Sequence, residues 1–298
     1  MLDQLHLVEE AQRNEQYQEA HAILVECLES ARNVRAYERL ANALLLFADN
    51  LLEWCPEGDD PFERRKMAAE EALKLFSELA DKRGEARALL ILATVDRERS
   101  FELANGALAL ARQLGDKAIT AQAMRYLGNH ASIAGQTREA LEMASEAVRL
   151  AEESGDAELL AEAAFVLGVV TEDQAARIEA FETMARLEAR YRRKRRFASR
   201  LAAAAGMIAD QEQELAIAWN NRCLAIARAV SDPRFEGSVL RGLAQIERAR
   251  GNTDKAEELE AMSNVMCPLP DMTELVKGAE NRDMGMMSEA VKAMLGIR

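Results

Sequence analysis

Proline, glycine, aromatic residues and long apolar runs are all scarce in this chain of 298 residues. Its five prolines, fifteen glycines and 5% aromatic residues are too few for a fold rich in β-strands and turns. No uncharged apolar run approaches about 18 residues, the length that a membrane-spanning helix requires. Ala, Leu, Glu and Arg are abundant instead, and these are the strongest helix formers. The composition therefore predicts an all-α protein that does not span a membrane.

Cysteine and basic charge are limited as well. The cysteines, Cys27, Cys55, Cys223 and Cys267, are scattered and form no C-x-x-C pair, which favours a reduced protein. The net charge of −13 disfavours nucleic acid or an anionic membrane as a general partner. Residues 1–10 contain neither the basic region nor the apolar core of a secretory signal. We therefore expect a cytoplasmic protein.

The strongest pattern is a segment that recurs along the chain. Its four clear copies align without gaps, each with an aliphatic start, an Asp eight residues on, and a final Leu followed by Ala or Gly. Their starts are 35, 40 and 76 residues apart, and the last interval is two units of 38. Weaker copies start at Leu28 and Arg186, and a partial one near Asn264. The clear copies are residues 73–93, 108–128, 148–168 and 224–244. Such a period indicates a repeat architecture.

Each repeat is predicted to contain two helices. The recurring Asp falls between two helical patterns, where its carboxylate can cap the free N–H groups of the next helix. Pro233 follows one of them at a position where a helix tolerates proline, and Gly135 and Gly251 suit the left-handed residue that ends a helix. The predicted capping residues are Asp81, Asp116, Asp156 and Asp232.

Small residues recur where the two helices should touch. A glycine inside a helix costs about 1 kcal/mol relative to alanine, so Gly128, Gly168 and Gly206 need compensation from close packing. The facing helix supplies small residues at matching places, namely Ala20, Ala140, Ala216 and Ala256. We therefore expect closely packed antiparallel hairpins.

These features resemble the tetratricopeptide repeat, in the longer-period subtype found in bacterial regulators and kinesin light chains. The resemblance covers roughly residues 1–264, although the Trp and Pro of the consensus are mostly missing. It implies a right-handed α-solenoid of about seven antiparallel helical hairpins, with an insertion at residues 54–61. In the first 34 residues the matching positions are Leu7, Ala11, Tyr17, Ala20, Leu24 and Cys27.

The sequence is expected to divide into a repeat domain, residues 1–267, and a C-terminal capping segment, residues 268–298. The capping segment carries Met287, Val291 and Met294 at helical spacing. Covering the last hairpin is the role expected of it, because an open helical stack must be closed. A methionine-rich docking surface is the alternative.

The resemblance also implies a binding face. In tetratricopeptide proteins the first helix of each repeat lines the concave surface, and here that surface would be rich in Arg, Asn and Gln. Arg125 and Asn129 are four residues apart on one helix face, and Arg241 and Gln245 repeat the arrangement, which is similar to a carboxylate clamp. An ordinary solvated helix face is the alternative. The predicted partner-binding residues are Arg87, Arg97, Gln122, Arg125, Asn129, Phe165, Arg241, Gln245 and Arg248, with Leu90 beside them.

A basic run lies in the weak copy near Arg186. Its members could form a patch for an acidic partner or nucleic acid. The simpler interpretation is a solvated corner between repeats that pairs with local Glu side chains, given the acidic chain. The patch consists of Arg192, Arg193, Lys194, Arg195 and Arg196.

No constellation of catalytic or metal-binding residues is apparent. His6, His21 and His130 stand alone, and neither H-E-x-x-H, a glycine-rich phosphate loop nor G-x-S-x-G occurs. The acidic pair Asp59-Asp60 precedes Pro61 and is better explained as a helix cap than as a metal motif. The sequence therefore predicts no enzyme activity, no cofactor and no metal.

The function that these patterns favour is a non-catalytic adaptor or scaffold. It would hold a protein or peptide, such as an acidic segment or C-terminus, along the concave face. The alternative is a regulatory module that senses a ligand or peptide and acts on a separate effector chain. The patterns leave the partner's identity and any self-association into a homo-oligomer open.

Overall fold

A computed structural model describes residues 2–14 and 16–266, and within these ranges the chain forms fourteen α-helices, a short 3-10 helix and no strand. The predicted all-α class is confirmed, and the helices from α1 to α10 make five successive hairpins. The helices are α1 Leu2–Arg13, α2 Tyr17–Asn33, α3 Tyr37–Asn50, α4 Pro61–Glu78, α5 Lys82–Val95, α6 Ser100–Leu114, α7 Lys117–Ile133, α8 Thr137–Ser154, α9 Ala157–Val170, α10 Gln174–Arg186, α11 Lys194–Ile208, α12 Gln213–Ala229, α13 Pro233–Ala249 and α14 Thr253–Met266, with the 3-10 helix at Glu188–Arg190.

The chain divides into two compact units, Met1–Arg222 and Cys223–Arg298. In unit 1, each helix from α1 to α10 packs against the helix that follows it. In the described part of unit 2, α13 packs against α14, and the buried hydroxyl of Ser263 on α14 donates to the carbonyl of Gly237 on α13. Each unit is therefore built from hairpins of consecutive helices.

Short polar turns set the helix ends. The carboxylates of Asp81, Asp116, Asp156 and Asp232 accept backbone N–H groups at the starts of α5, α7, α9 and α13, as predicted from their spacing. Gly135 has φ +75° in the turn between α7 and α8, a backbone conformation that is unfavourable for residues with a Cβ atom. These caps stop one helix and start the next within a few residues, so consecutive helices fold back on each other.

Insertion 54–61 separates the helices of the second hairpin. Helix α3 ends at Asn50, and α4 begins at Pro61 with the Asp60 carboxylate accepting from two backbone N–H groups of its first turn. The capping role predicted for the acidic pair is therefore confirmed at Asp60. The predicted capping segment, residues 268–298, lies outside the described residues.

Glycine allows close packing at two of the three predicted positions, and at one of them the facing residues are alanines. A Cβ at Gly128 would lie 3.3 Å from backbone atoms of Ala140 and Ala144, which confirms the close approach of α7 and α8. At Gly168 the free space is filled by the ring of Phe181. A Cβ at Gly206 would meet nothing within 4 Å, so the prediction of close packing is wrong there.

The odd-numbered helices form the inner layer of unit 1. Contacts run in series from α3 to α5, α5 to α7, α7 to α9 and α9 to α11. Side chains on the first helix of each hairpin therefore face one another across this layer, as the resemblance implies for the concave face. No helix within the described ranges is long and apolar enough to cross a membrane.

Candidate functional site

A cavity of about 470 Å³ opens on the inner face of unit 1. Contributions come from α1, α3, α4, α5, α7, α9 and the segment that leads into α11. Arginines outnumber carboxylates seven to five in its lining, so the cavity carries an excess of two positive charges in a chain of net charge −13. The arginines are Arg65, Arg83, Arg87, Arg125, Arg192, Arg193 and Arg196, and the carboxylates are Glu9, Asp49, Asp156, Glu158 and Glu162. The lining favours an anionic ligand.

The repeat places one side chain from each first helix at equivalent positions of this face. Arg87, Gln122, Glu162 and Arg200 are related by the repeat intervals of 35, 40 and 38 residues. The first three line the cavity, and Arg200 contacts Glu162 with its Nη2 atom 3.5 Å from Oε2. The prediction included Arg87 and Gln122 but missed Glu162, which the same interval would have revealed.

Glu162 lies at the centre of the charged lining. Arg196 Nε is 3.3 Å from its Oε1 atom, and Arg125 Nη1 is 3.6 Å from Oε2. The hydroxyl of Tyr191 donates a hydrogen bond to Oε1. Glu162 is only 7% exposed, so this network of three arginines and one tyrosine replaces the water that the carboxylate loses on folding.

The network fixes the charge state of its members. Burial opposes ionisation of Glu162, but the nearby guanidinium groups of Arg196, Arg125 and Arg200 outweigh it and lower the pKa of the carboxyl to about 2. Burial and the adjacent Glu162 carboxylate raise the pKa of Tyr191, which keeps the phenol protonated as a donor. At neutral pH the network therefore contains one carboxylate, three guanidinium groups and a neutral phenol.

The network is ionic more than hydrogen bonded. Within the described residues, the buried atoms Arg125 Nε, Arg200 Nε and Glu162 Oε2 have no hydrogen-bond partner. The Arg200 guanidinium also lies over the ring of Phe165, 4.8 Å from its centroid. Arg125 thus neutralises an internal carboxylate, and the proposed clamp formed by Arg125 and Asn129 is not assembled: Asn129 is exposed and does not line the cavity.

The basic run does not form a solvated corner between repeats. Tyr191 is 2% exposed, and its burial turns the segment before α11 inward. Arg193 then contacts Glu158 of α9 at 3.3 Å and Glu53 of the turn after α3 at 3.8 Å. Arg196 contacts Glu162, as described above. The run was expected to pair with local Glu side chains; Arg193 and Arg196 pair with Glu158 and Glu162 of the preceding hairpin, and Arg193 also pairs with Glu53 of a distant hairpin.

The remaining members of the run have different surroundings. Arg192 is exposed and lines the cavity, and Arg195 is exposed without lining it. The Lys194 ammonium donates to the backbone carbonyl of Glu188. The basic run is therefore divided between the cavity and the outer surface rather than forming one patch.

No pattern in the sequence singled out Arg65 of α4, which lines the cavity. It is 3% exposed, its Nε donates to the carbonyl of Ala48 at 2.9 Å, and its Nη2 donates to Thr94 Oγ1 at 3.2 Å. In the described part of the chain it forms no ion pair. Burial lowers its pKa; the Asp49 carboxylate opposes that shift, and repulsion from Arg196 and Arg193 adds to it. A cation has thus been placed in a buried position where its direct hydrogen-bond partners are neutral.

Two further predicted positions do not contribute to the cavity. Phe165 is buried in contact with Phe181, their ring centroids 5.9 Å apart, so it cannot serve as an accessible docking residue. Arg97 is exposed in the turn after α5. By contrast, Leu90 lies in the lining with Arg87, Gln122 and Arg125.

The predicted residues of α13 belong to unit 2. Arg248 Nη1 pairs with Glu260 of α14 at 2.7 Å, which makes a salt bridge within the hairpin. Gln245 is exposed and Arg241 is partly buried. The prediction that these three residues bind a partner is therefore separate from the cavity of unit 1.

Comparisons with known proteins assign neither a family nor a function to the chain. No protein-family model and no curated protein matches the chain. It is similar to the apo form of RapI at 15% identity, over 83% of this chain and 97% of that one, with a TM-score of 0.49. It is also similar to a kinesin light chain of Podosopora anserina with nearly identical TPR-like repeats, at 14% identity over 89% and 93% of the two chains, with a TM-score of 0.26.

The helix order and packing described above define the class of protein. Within the described residues the chain is an all-α protein built from consecutive helical hairpins, as the sequence predicted, and its repeats resemble the tetratricopeptide pattern. Within the described residues no group of three His, Cys, Asp or Glu side chains could hold a metal ion.

Proposed function

We propose that unit 1 is a non-catalytic binding module whose inner cavity holds an acidic segment of a protein or peptide. The observation that carries this proposal is the cavity's excess of arginine in a strongly acidic chain. Complementary charge favours the correct partner and repels competing cationic segments. The scattered cysteines support a cytoplasmic setting for this activity.

Arg87 and Arg192 are the residues best suited to make the initial contact with the partner. Arg192 is exposed and Arg87 is partly exposed, and both line the cavity. Among the described residues neither forms an ion pair, and Arg87 has only a long hydrogen bond of 3.5 Å to Asn42 Oδ1. A guanidinium group without a carboxylate partner can bind an incoming carboxylate through two parallel N–H groups.

The size of the cavity limits what can enter. A volume of about 470 Å³ lies within the range of small-ligand pockets and accommodates a few residues rather than a folded domain. We therefore infer that a short acidic segment enters the cavity while the rest of the partner stays outside.

A regulatory module that acts on a separate effector is the second candidate. It is favoured by the contacts of Arg193, which links Glu158 of the fifth hairpin to Glu53 in the second. An anion that competes for Arg193 would loosen this link and alter how the hairpins are held together. In a simple adaptor, peptide binding would leave the arrangement of the hairpins unchanged. A change in small-angle scattering on peptide binding would therefore favour the regulatory function.

An array of twelve-residue peptides rich in Asp and Glu, matched with Lys-rich peptides of equal length, tests the proposal. The tightest acidic peptide is then measured by calorimetry with wild type and with the double variant Arg87→Gln/Arg192→Gln. The control is Arg138→Gln on α8, whose side chain is 93% exposed. We expect binding of acidic peptides only, with affinity lost in the double variant and kept in the control. Equal binding of acidic and basic peptides would refute the proposal.

A further inference from the structure

We propose that the acidic group recognised in the cavity is a phosphate monoester. Its binding site would be the arginine subsite, formed by Arg65, Arg87, Arg193 and Arg196. This inference rests on the proposed function, because it names the chemistry of the anion that the cavity takes. The phosphate could be carried by a side chain of the bound peptide or by a small molecule.

Arg65 is the anchor of the arginine subsite. It is 97% buried, lines the cavity and has no carboxylate partner in the described part of the chain. Its hydrogen bonds to Ala48 and Thr94 fix the orientation of the guanidinium group and leave other N–H groups free to donate. The Asp49 carboxylate acts on Arg65 only from beyond ion-pair distance, and a buried charge without a direct ion pair is unfavourable, so an anion that enters the cavity would be stabilised by Arg65.

Arg193 and Arg196 can redirect their N–H groups toward a ligand. Their side chains are 28% and 27% exposed, and their carboxylate contacts are 3.3 Å or longer. These distances exceed the roughly 2.7–2.9 Å of a strong charge-assisted hydrogen bond. An oxyanion placed between the two residues would gain shorter hydrogen bonds without requiring either guanidinium group to leave its carboxylate.

The charge and shape of the subsite favour phosphate over carboxylate. The residues that line the cavity include two more arginines than carboxylates, which suits the charge of roughly −1.5 to −2 that a phosphate monoester carries at neutral pH. Arg65 comes from α4, Arg87 from α5, and the other two from the segment that enters α11, so the donors arrive from three elements. A phosphate group offers three terminal oxygens to such a set, whereas a carboxylate offers two in one plane.

The experiment begins with the tightest peptide from the acidic array, synthesised with Ser, Glu or phosphoserine at each position in turn. Calorimetry compares these peptides on wild type, Arg193→Gln, Arg87→Gln and the surface control Arg138→Gln. Inorganic phosphate and glucose 6-phosphate are titrated separately, with the ³¹P chemical shift as the readout. Circular dichroism verifies that each variant keeps the wild-type helix content.

We expect one phosphoserine peptide to bind at least tenfold more tightly than its Glu counterpart on wild type. That advantage should disappear in Arg193→Gln and Arg87→Gln and persist in Arg138→Gln. Inorganic phosphate should shift its ³¹P signal on binding and compete with the phosphopeptide. This combination would support both the arginine subsite and the proposed function.

The other outcomes separate the two proposals. If the Ser, Glu and phosphoserine peptides bind equally well, the phosphate inference is wrong while the proposed function stands. If no peptide binds but glucose 6-phosphate does, with the affinity lost in Arg193→Gln, the arginine subsite is supported and the peptide function is wrong. The inference is overturned if no phosphate compound and no phosphopeptide binds to wild type. It is also overturned if those that bind keep their affinity in Arg193→Gln and Arg87→Gln.

Discussion

Arg125 of α7 and Glu162 of α9 face each other at 3.6 Å on the inner face of unit 1. The sequence suggested that Arg125 would meet a carboxylate supplied by a partner. The protein supplies that carboxylate itself, from the next hairpin. Arg125 therefore stabilises the layer of odd-numbered helices, and the recognition that we propose depends on arginines whose charge is not neutralised in this way.

Removing the carboxylate of Glu162 should destabilise unit 1. The substitution Glu162→Gln leaves Arg125, Arg196 and Arg200 facing one another without their common counterion. Breaking a buried ion pair on one side costs about 3–5 kcal/mol, and we expect a loss of that order in the free energy of unfolding by urea. The control Glu152→Gln, at an exposed site on α8, should change stability by less than about 0.5 kcal/mol.

An equal effect of the two substitutions would contradict the central role given to Glu162. Helix content measured before unfolding distinguishes a destabilised fold from one that never forms.

The difference in unfolding free energy between wild type and Glu162→Gln should depend on pH. The pKa of Glu162 falls from 4.5 to about 2 on folding, so the unfolded chain takes up the proton first as the pH drops. The stabilisation from ionised Glu162 is therefore complete above about pH 4.5 and is lost as the pH falls toward 2. The difference in unfolding free energy between wild type and Glu162→Gln should narrow from pH 5 to pH 3. A constant difference across that range would show that Glu162 keeps an ordinary pKa.

Two glycine substitutions should change the stability of the protein in opposite directions. A Cβ added at Gly168 would lie 2.3 Å from the ring of Phe181, whereas one at Gly206 would meet nothing within 4 Å. Gly168→Ala should therefore lower stability by about 1–3 kcal/mol through overpacking. Gly206→Ala should raise it by up to about 1 kcal/mol, because alanine is the better helix former. Thermal unfolding of the two variants checks both signs, and stabilisation by Gly168→Ala would contradict the packing of Phe181.

Binding of an acidic peptide should weaken with salt. The contacts in the cavity are between charges, and ions screen exposed charges over about 10 Å at 0.1 M and about 3 Å at 1 M. We expect the affinity measured by calorimetry to fall several-fold between 0.05 and 0.5 M sodium chloride. An affinity that does not change with salt would point to apolar contacts as the main source of binding.

The local features of the fold could be predicted from the sequence. A carboxylate such as Asp156 caps the helix that starts one residue later, and Gly135 takes a left-handed turn, so each effect depends on immediate neighbours. The close contact at Gly128 also followed from the repeat. The open space beside Gly206 could not be predicted in this way, because the weak copy near Arg186 keeps the glycine without placing an atom of the facing helix beside it.

The charged site could be predicted only in part. The repeat interval led to Arg87 and Gln122, and the same interval contains Glu162. The contact between Arg193 and Glu53 joins residues 140 positions apart, and no periodic pattern encodes it. Its cause is the burial of Tyr191, a single aromatic side chain that turns a basic segment inward.

We propose that cavity arginines without carboxylate partners hold an acidic segment. Calorimetry of the tightest acidic peptide with wild type, Arg87→Gln/Arg192→Gln and Arg138→Gln tests it most directly. The claim predicts a loss of at least tenfold in affinity for the double variant, unchanged stability, and no change for the control. Equal affinity of all three proteins would contradict the claim and place any binding site outside the cavity.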